Sequence, residues 1–247
     1  MSGHSKWSTI KRAKGANDAK RGKEFSKLAR EVTIAAKEGG GDPDMNARLR
    51  MVMLKCKAAN MPADNVQRAI SKGVGGGDGT LFEDLTYEIY APHGVGLLAE
   101  ISTDNRNRTA AEIRSIVNKA GGNIASAGSV SRLFERKGQI MISRDAADED
   151  ALMELALDAG AEDFRVEDEG FEIITDPSAF EEVHKRIESE NIKCEAASVT
   201  QLALPDTMTP IEDAAAARAV LKLVEGLEDQ DDVKDLYSSA DIQVDIE

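Results

Sequence analysis

A run of glycines near residue 75 divides the chain into two segments with different hydrophobic periods. It reads Gly-Val-Gly-Gly-Gly-Asp-Gly over residues 73–79, and so many glycines favour neither a helix nor a strand. Before the run, apolar residues recur every three or four positions. After it, they alternate in short stretches bounded by turn residues. The sequence therefore predicts a helical N-terminal domain joined by a linker to α+β domains.

The N-terminal domain, residues 1–79, is predicted to be a bundle of helices. The first helix is expected from residue 17 to about residue 38. Asp42 and Pro43 are expected to begin the second helix, because an acidic cap followed by proline favours a helix start. Pro62 is expected to begin the third helix, which is expected to run to about residue 72.

The rest of the chain is predicted to form two α+β domains of ferredoxin-like type, the third domain being inserted in the second. Residues 137–205 show the pattern βαββαβ, and residues 80–136 show ββαβ. Residues 206–247 add one helix, expected to begin at a capping box at 209–212, and one strand. Because a single strand needs a partner, residues 206–247 are expected to complete the sheet of residues 80–136.

Charge is distributed unevenly along the chain. The net charge is −14, from 31 Lys and Arg against 45 Asp and Glu, yet residues 1–80 hold 16 of the basic and only 8 of the acidic residues. The first 80 residues are therefore basic, and residues 137–205, with 6 basic and 18 acidic residues, are strongly acidic. Such asymmetry is typical of a chain with one module that faces nucleic acid.

The first helix is predicted to have one packed side and one cationic side. At 100° per residue, apolar side chains share one side: Phe25, Leu28, Ala29, Val32, Ala35 and Ala36. Five basic residues share the other side: Lys20, Lys23, Lys27, Arg30 and Lys37. The cationic side fits phosphate binding. It also fits a solvated helix whose lysines pair with Glu24, Glu31 and Glu38 within the helix.

An N-terminal arm precedes this helix and holds the only tryptophan of the chain, Trp7. Lysine and arginine neutralise phosphates, and an indole ring can stack on a base. We therefore take basic residues of the arm and of the N-terminal helices, together with Trp7, as candidate nucleic-acid ligands. They are Lys6, Trp7, Lys11, Arg12, Lys14, Lys20, Arg21, Lys23, Lys27, Arg30, Arg48 and Arg50.

A second candidate site is the segment Asp-Asn-Arg-Asn-Arg-Thr at residues 104–109, which joins a predicted strand to a predicted helix. Backbone N–H groups at a helix start, together with Arg106 and Arg108, suit an anion such as phosphate. The same residues suit a capping turn whose arginines pair with carboxylates of the acidic domains. The sequence does not separate the two interpretations.

No catalytic or metal-binding pattern is found. The histidines His4, His93 and His184 are scattered, and the cysteines Cys56 and Cys194 form no CxxC motif. The fingerprint GxGxxA at residues 94–99 leads into a predicted strand instead of a helix, unlike a dinucleotide site. We therefore expect a non-enzymatic protein without metal or cofactor. No signal peptide or apolar run of 18 residues is found, so we expect a cytoplasmic protein with no membrane partner.

Many short motifs resemble those of the YebC/PmpR family, in order and over essentially the whole chain. They are GHSKW at 3–7, DAKRGK at 18–23, GGGDP at 39–43, NARLR at 46–50, KGVG at 72–75, DNRNRT at 104–109, AGGN at 120–123, GSV at 128–130, Phe134, KG at 137–138 and AGAED at 159–163. The resemblance implies a helical N-terminal domain and two α+β domains. It also implies a transcriptional regulator that binds promoter DNA, with mitochondrial members similar to translational activators.

From the residues and the resemblance together we expect a DNA-binding transcription regulator, acting as a monomer, that contacts phosphates through its basic N-terminal end. The alternative is an RNA-binding translation regulator on the ribosome, with ribosomal or transfer RNA as its partner. No recognition helix with base-reading side chains is obvious in the sequence, so the contacts are expected to be with phosphates.

Overall fold

The computed structural model describes residues 18–75 and 81–244. Its helices are α1 (Asp18–Gly39), α2 (Ala47–Ala58), α3 (Ala63–Val74), α4 (Arg106–Lys119), α5 (Glu149–Asp158), α6 (Phe180–Ser189) and α7 (Ala214–Glu228). Its strands are β1 (Glu83–Tyr90), β2 (Gly96–Thr103), β3 (Asn123–Ile124), β4 (Phe134–Ser143), β5 (Asp163–Glu167), β6 (Gly170–Thr175), β7 (Ala196–Ala203), β8 (Thr209–Ile211), β9 (Val233–Ser238) and β10 (Ala240–Ile242). The helical N-terminal region followed by α+β sheets confirms the predicted fold class.

The described residues form two compact units. Unit 1 takes its residues from 79–135 and 201–247, and unit 2 takes its residues from 6–78 and 136–200. Unit 2 thus holds the N-terminal helices together with the acidic βαββαβ segment. The division of that unit into two separate domains remains a prediction.

Helix α2 begins later than the sequence suggested. Its cap is Asn46, whose Oδ1 accepts a hydrogen bond from the backbone N–H of Leu49 at 3.0 Å. The Asn46 amide nitrogen also donates to the carbonyl oxygens of Ala35 and Gly40, both at 2.8 Å. The expected start at Asp42 and Pro43 is therefore wrong. A buried amide with three backbone partners fixes the α1–α2 connection better than an exposed carboxylate would.

Helix α3 extends into the predicted linker. Gly73 lies in α3 and is buried against α1, where a Cβ atom would come within 2.5 Å of the Thr33 carbonyl oxygen. Glycine at this position allows the two helix backbones to approach closely. The linker prediction is thus wrong for residues 73 and 74, and residues 76–80 lie outside the described structure.

In unit 2 the sheet has the order β5-β6-β4-β7, as expected for a ferredoxin-like βαββαβ segment. Its core lies between the sheet and helices α5 and α6, and contains Phe171 and Phe180, 1% and 0% exposed. Met51 and Leu54 of α2 pack against the same core. Helix α2 therefore joins the N-terminal helices to the acidic segment by apolar contact.

In unit 1 the sheet has the order β3-β1-β2-β9. Strand β9, which follows the acidic segment in the chain, pairs antiparallel with β2, with Leu97 opposite Ser238. Ile113 and Val117 of α4 and Leu223 of α7 are fully buried in the core beside this sheet. The C-terminal residues therefore complete the sheet of the preceding domain, as the sequence predicted.

Two boundaries in unit 1 differ from the sequence expectation. Residues Thr209–Ile211 form β8, which pairs parallel with β10, and α7 begins at Ala214 with Asp213 as its cap. The expected capping box at 209–212 is therefore wrong, because the backbone of Thr209 bonds to Ser239, 30 residues away in sequence, at 2.8 Å. The last strand of the ββαβ pattern expected for residues 80–136 is wrong: a turn of 3₁₀ helix forms at Ser131–Leu133, and the strand that follows, β4, lies in the other sheet, beside β6 and β7.

Candidate nucleic-acid interface

The packed side of α1 is confirmed. Leu28, Val32 and Ala35 are 7%, 0% and 0% exposed and pack with α2 and α3. Burial of this stripe, at about 25 cal/mol for each Å² of apolar area, holds the helix in place and fixes which side faces away from the helical core.

The cationic side of α1 is partly open to solvent. Lys23 and Lys37 are exposed, whereas Lys27 and Arg30 are half-buried. Ile34 lies between these cations around the helix and is only 4% exposed. Ile34 was not predicted from the sequence, although its angle on the helical wheel places an apolar residue within the cationic side. This side of α1 is therefore not a purely solvated surface.

Three further predicted cations, Arg21, Arg48 and Arg50, contact defined groups within the protein. The guanidinium of Arg21 lies 5.9 Å from the centre of the Phe25 ring, and Arg48 forms an ion pair with Glu38. Arg50 binds Glu181 of α6 at 2.8 Å and donates to the carbonyl oxygen of Pro43 at 2.6 Å. Arg50 therefore links α2 to α6 and to the segment before α2.

Further ion pairs on α2 reinforce this arrangement. Lys57 Nζ lies 2.6 Å from Glu188 Oε1 of α6, and Lys55 Nζ lies 3.3 Å from Glu31 Oε2 of α1. Neither Glu181 nor Glu188 could be identified as a partner from the sequence, because each lies 131 residues from its cation. Helix α2 thus uses its positive charge to hold neighbouring helices.

The segment at residues 104–109 forms the capping turn that the sequence left as one of two interpretations. Asn105 caps α4, its Oδ1 accepting from the backbone N–H of Arg108 at 3.1 Å. The Arg108 guanidinium lies 2.8 Å from Asp104 and 2.9 Å from Asp232, whose side chain is 2% exposed. Hydrogen bonds to Asp232 and Asp104 raise the pKa of Arg108 above its ordinary value.

Asp232, the residue directly before β9, connects this turn to the C-terminal part of unit 1. Its carboxylate accepts from Thr109 Oγ1 at 2.6 Å as well as from Arg108. The Thr109 hydroxyl also lies 2.7 Å from that of Thr103, at the end of β2. The carboxylate therefore occupies the place that an external anion would take beside Arg108. The structure does not bring Arg108 to an open anion site.

The remaining predicted site residues divide into two groups. Arg106 is exposed at the first position of α4, and Lys20 lies in α1. The arm residues lie outside the described structure: Lys6, Trp7, Lys11, Arg12 and Lys14. The direct binding roles of these residues therefore stay predictions.

The described residues contain neither a candidate metal site nor a reactive thiol. Residues 18–75 and 81–244 contain no group of three or more His, Cys, Asp or Glu side chains that could hold a metal ion. Burial raises the pKa of the Cys56 and Cys194 thiols to about 11, so both are protonated near neutral pH and are poor nucleophiles. In the same part of the chain, every helix is too short or too polar to span a bilayer.

Two family models match the chain in succession. The model described as the TACO1/YebC protein N-terminal domain matches residues 5–76. The model described as the TACO1/YebC second and third domain matches residues 82–240. The chain belongs to the TACO1/YebC family. The resemblance seen in the sequence motifs is thereby confirmed.

TACO1/YebC relatives match over nearly full length and share a name. A protein of Syntrophus aciditrophicus is 52% identical over 98% of this chain and 96% of its own length. One from Geobacter sp. strain M21 is 51% identical over the same shares of the two chains, and one from Leptospira biflexa is 48% identical over 98% and 97%. Each is called a probable transcriptional regulatory protein. The name is that of a regulator and not of an enzyme.

A solved TACO1/YebC-like structure supports the fold. The crystal structure of a conserved hypothetical protein from Aquifex aeolicus is 41% identical and superimposes with a TM-score of 0.81. The match covers 93% of each chain. The order of helices and sheets described above is therefore shared with an experimentally determined structure.

Proposed function

We propose that this TACO1/YebC protein is a non-enzymatic transcription regulator that binds DNA phosphates through its basic N-terminal helical domain. The observation that carries the proposal is the two-sided helix α1. Its apolar side packs into the helical core, and the other side carries Lys23, Lys27, Arg30 and Lys37 in a chain with a net charge of −14. A positive surface on an acidic protein suits a polyanion.

The chemistry of α1 favours phosphate contacts over base reading. Lysine and arginine neutralise phosphates and release counterions, so binding must weaken steeply with salt. Residues 137–205, with 18 acidic and 6 basic residues, are repelled by the same backbone. The name of the relatives supports a role in regulation, and a regulator of transcription acts at nucleic acid.

The alternative is a translation regulator that binds ribosomal or transfer RNA. The basic side of α1 fits the phosphates of either nucleic acid, because phosphate contacts carry no sequence information. The choice between DNA and RNA therefore depends on experiment.

A charge-reversal variant tests the phosphate-binding surface. Changing Lys20, Lys23, Lys27 and Arg30 to Glu should abolish binding to a 30-base-pair DNA duplex and to a single-stranded RNA, measured by fluorescence anisotropy over a salt series. With each phosphate contact contributing about 0.9 to the slope of log K against log salt, neutral replacement of the four by Gln should lower the slope by roughly three to four.

The matched control reverses four basic residues elsewhere. Lys185, Arg186, Lys193 and Lys222 are exposed on the acidic segment and on α7, and their change to Glu alters the net charge equally. Binding should be largely retained in this control. Unchanged affinity in the α1 variant, or equal loss in the control, would contradict the proposed surface.

Crosslinking in cells separates the two physiological roles. Ultraviolet crosslinking of the protein, followed by sequencing of the attached nucleic acid, should enrich a few promoters if the protein regulates transcription. Predominant recovery of ribosomal or transfer RNA would replace this conclusion with the translational one.

A further inference from the structure

The outer flank of α4 carries arginine and asparagine side chains and no carboxylate. At 3.6 residues per turn, seven residues lie within a sector of about 140° counted from Arg106. One of them, Val117, is buried in the core. The other six are, in angular order, Arg106, Ala110, Arg114, Asn107, Asn118 and Ala111. We call these six residues the α4 flank. All of its members are exposed except Ala110, which is half-buried.

The α4 flank is directed to solvent because the other sides of the helix are occupied. Thr109, Ile113 and Val117 are 0% exposed and face the core of unit 1. The only acidic residue of the helix, Glu112, lies on the side towards α7, where it accepts a hydrogen bond from Gln230 Nε2 at 2.9 Å. The carboxylate of α4 is thus directed away from the flank.

Two guanidiniums on this flank are available to a ligand. Within residues 18–75 and 81–244, neither Arg106 nor Arg114 forms an ion pair. The carboxylate nearest to Arg106 in sequence, Asp104, is already bound to Arg108 at 2.8 Å. Arg108 itself is directed to the buried Asp232. The capping network therefore uses the local acidic groups and leaves the neighbouring arginines without them.

The composition of the α4 flank suits a phosphodiester backbone. Each guanidinium presents a planar fork of donors that matches phosphate, and asparagine amides add neutral donors. Arg106 and Arg114 leave the helix about 12 Å apart along its axis, so they reach different phosphates. The small Ala110 and Ala111 between them allow a backbone to approach the helix. The flank carries this positive charge although the C-terminal part of unit 1 is acidic, with 12 acidic and 3 basic residues in 206–247.

We propose that the α4 flank is a second nucleic-acid contact, separate from α1, in which Arg106 and Arg114 bind two phosphates and Asn107 and Asn118 donate to the same strand. This inference rests on the proposed function. It places a contact on unit 1, whereas α1 belongs to unit 2. Arg114 and Asn118 were not among the site residues predicted from the sequence, because beyond residue 109 only the apolar period of α4 was used.

The test is a neutral double variant with a matched control. Arg106→Ala with Arg114→Ala should weaken binding of the full-length protein to the 30-base-pair duplex or to the single-stranded RNA by about tenfold at moderate salt. The slope of log K against log salt should fall by about two, because two phosphates are no longer neutralised by arginine. The control, Arg218→Ala with Lys222→Ala, removes two exposed cations of α7 and should change affinity by less than about twofold.

The outcomes separate this inference from the proposed function. If the α1 variant loses binding while Arg106→Ala with Arg114→Ala binds as the wild type does, the α4 flank is not a contact and α1 stands. If the control weakens binding as much as the double variant, the effect is one of net charge and the flank is rejected. If the wild type binds neither DNA nor RNA, both proposals fail. The nucleic acid, DNA duplex or single-stranded RNA, whose binding is weakened in the double variant is the one that the flank contacts.

A second experiment reports the position of the bound nucleic acid and not its affinity. A photo-crosslinking residue at Ala111, between the two arginines, should crosslink to the bound nucleic acid, and the same residue at the exposed Ala215 of α7 should not. Equal crosslinking from both positions, or none from Ala111, would overturn the proposal.

Discussion

Helices α2 and α4 carry similar numbers of basic residues but use them differently. In α2, all four cations pair with carboxylates: Arg48 with Glu38, Arg50 with Glu181, Lys55 with Glu31 and Lys57 with Glu188. In α4, Arg108 is paired with Asp104 and Asp232. Arg106 and Arg114 have no ion-pair partner in the described structure. Helix α2 stabilises the fold with its charge, and α4 presents charge to a ligand.

The comparison shows that basic residues cannot be assigned to nucleic acid by composition alone. From the sequence, Arg48 and Arg50 belong with the binding residues because they lie in the basic segment. Arg108 belongs with Arg106 because they lie in one turn. The carboxylates that folding brings close to each cation determine which cations remain available. Pairing of exposed ions contributes little to stability, but it occupies the guanidinium.

The largest expected effect concerns the paired Arg108 of α4. Asp232→Ala removes a buried carboxylate that accepts from Thr109 and Arg108. Because these donors lose a charged acceptor, the free energy of unfolding should fall by about 3 kcal/mol, measured by urea denaturation. Asp206→Ala, at an exposed carboxylate of unit 1, serves as the control and should change it by less than about 0.5 kcal/mol. Equal stability of both variants would show that the contacts of Arg108 and Thr109 with Asp232 do not stabilise the fold.

A smaller effect is expected at the α2–α6 contact. A double-mutant cycle of Arg50→Ala and Glu181→Ala should give a coupling free energy of about 0.5–1 kcal/mol, because both side chains are about one-third exposed. The coupling should shrink at about 1 M salt, where exposed charges are screened. Zero coupling at low salt would mean that the Arg50–Glu181 ion pair does not stabilise the fold. The basic residues of α2 would then not differ in role from those of the α4 flank.

The smallest effect is the pH dependence of the same contact. Burial lowers the pKa of His184 on α6, Glu188 opposes this shift, and Lys57 of α2 adds to it. Since the unfolded chain binds a proton near pH 6.5 and the folded His184 does so only at lower pH, acidification favours unfolding. The free energy of unfolding should therefore be constant above about pH 6.5 and fall below it, until the folded pKa is reached.

Two variants check that His184 is responsible. His184→Gln should remove this part of the decline when urea denaturation is repeated between about pH 7.5 and pH 5. Lys57→Met should reduce it, because one of the causes that lowers the pKa is then absent. A decline of unchanged size in His184→Gln would assign it to another group.

Periodic features were predictable from the sequence, and boundaries set by distant contacts were not. The packed side of α1 and the pairing of the C-terminal strand into the earlier sheet followed from apolar spacing and from the need of every strand for a partner. The capping box at 209–212 failed because residue 209 bonds to Ser239 in a strand pair. Local capping signals are satisfied by short contacts, and a competing backbone partner elsewhere in the chain overrides them.

The candidate site shows the same division. The sequence alone determined the basic N-terminal segment, the two-sided α1 and the presence of two arginines at the start of α4, because these follow from residue type and helical period. Only the tertiary structure decided that Arg108 is directed to Asp232, that Arg50 holds α6, and that Arg106 and Arg114 share an open flank. The physical reason is that a basic side chain is available to a ligand only if folding brings no carboxylate within about 4 Å of it. Arg50 and Arg108 each have such a carboxylate, Glu181 and Asp232, more than about 100 positions away in the sequence.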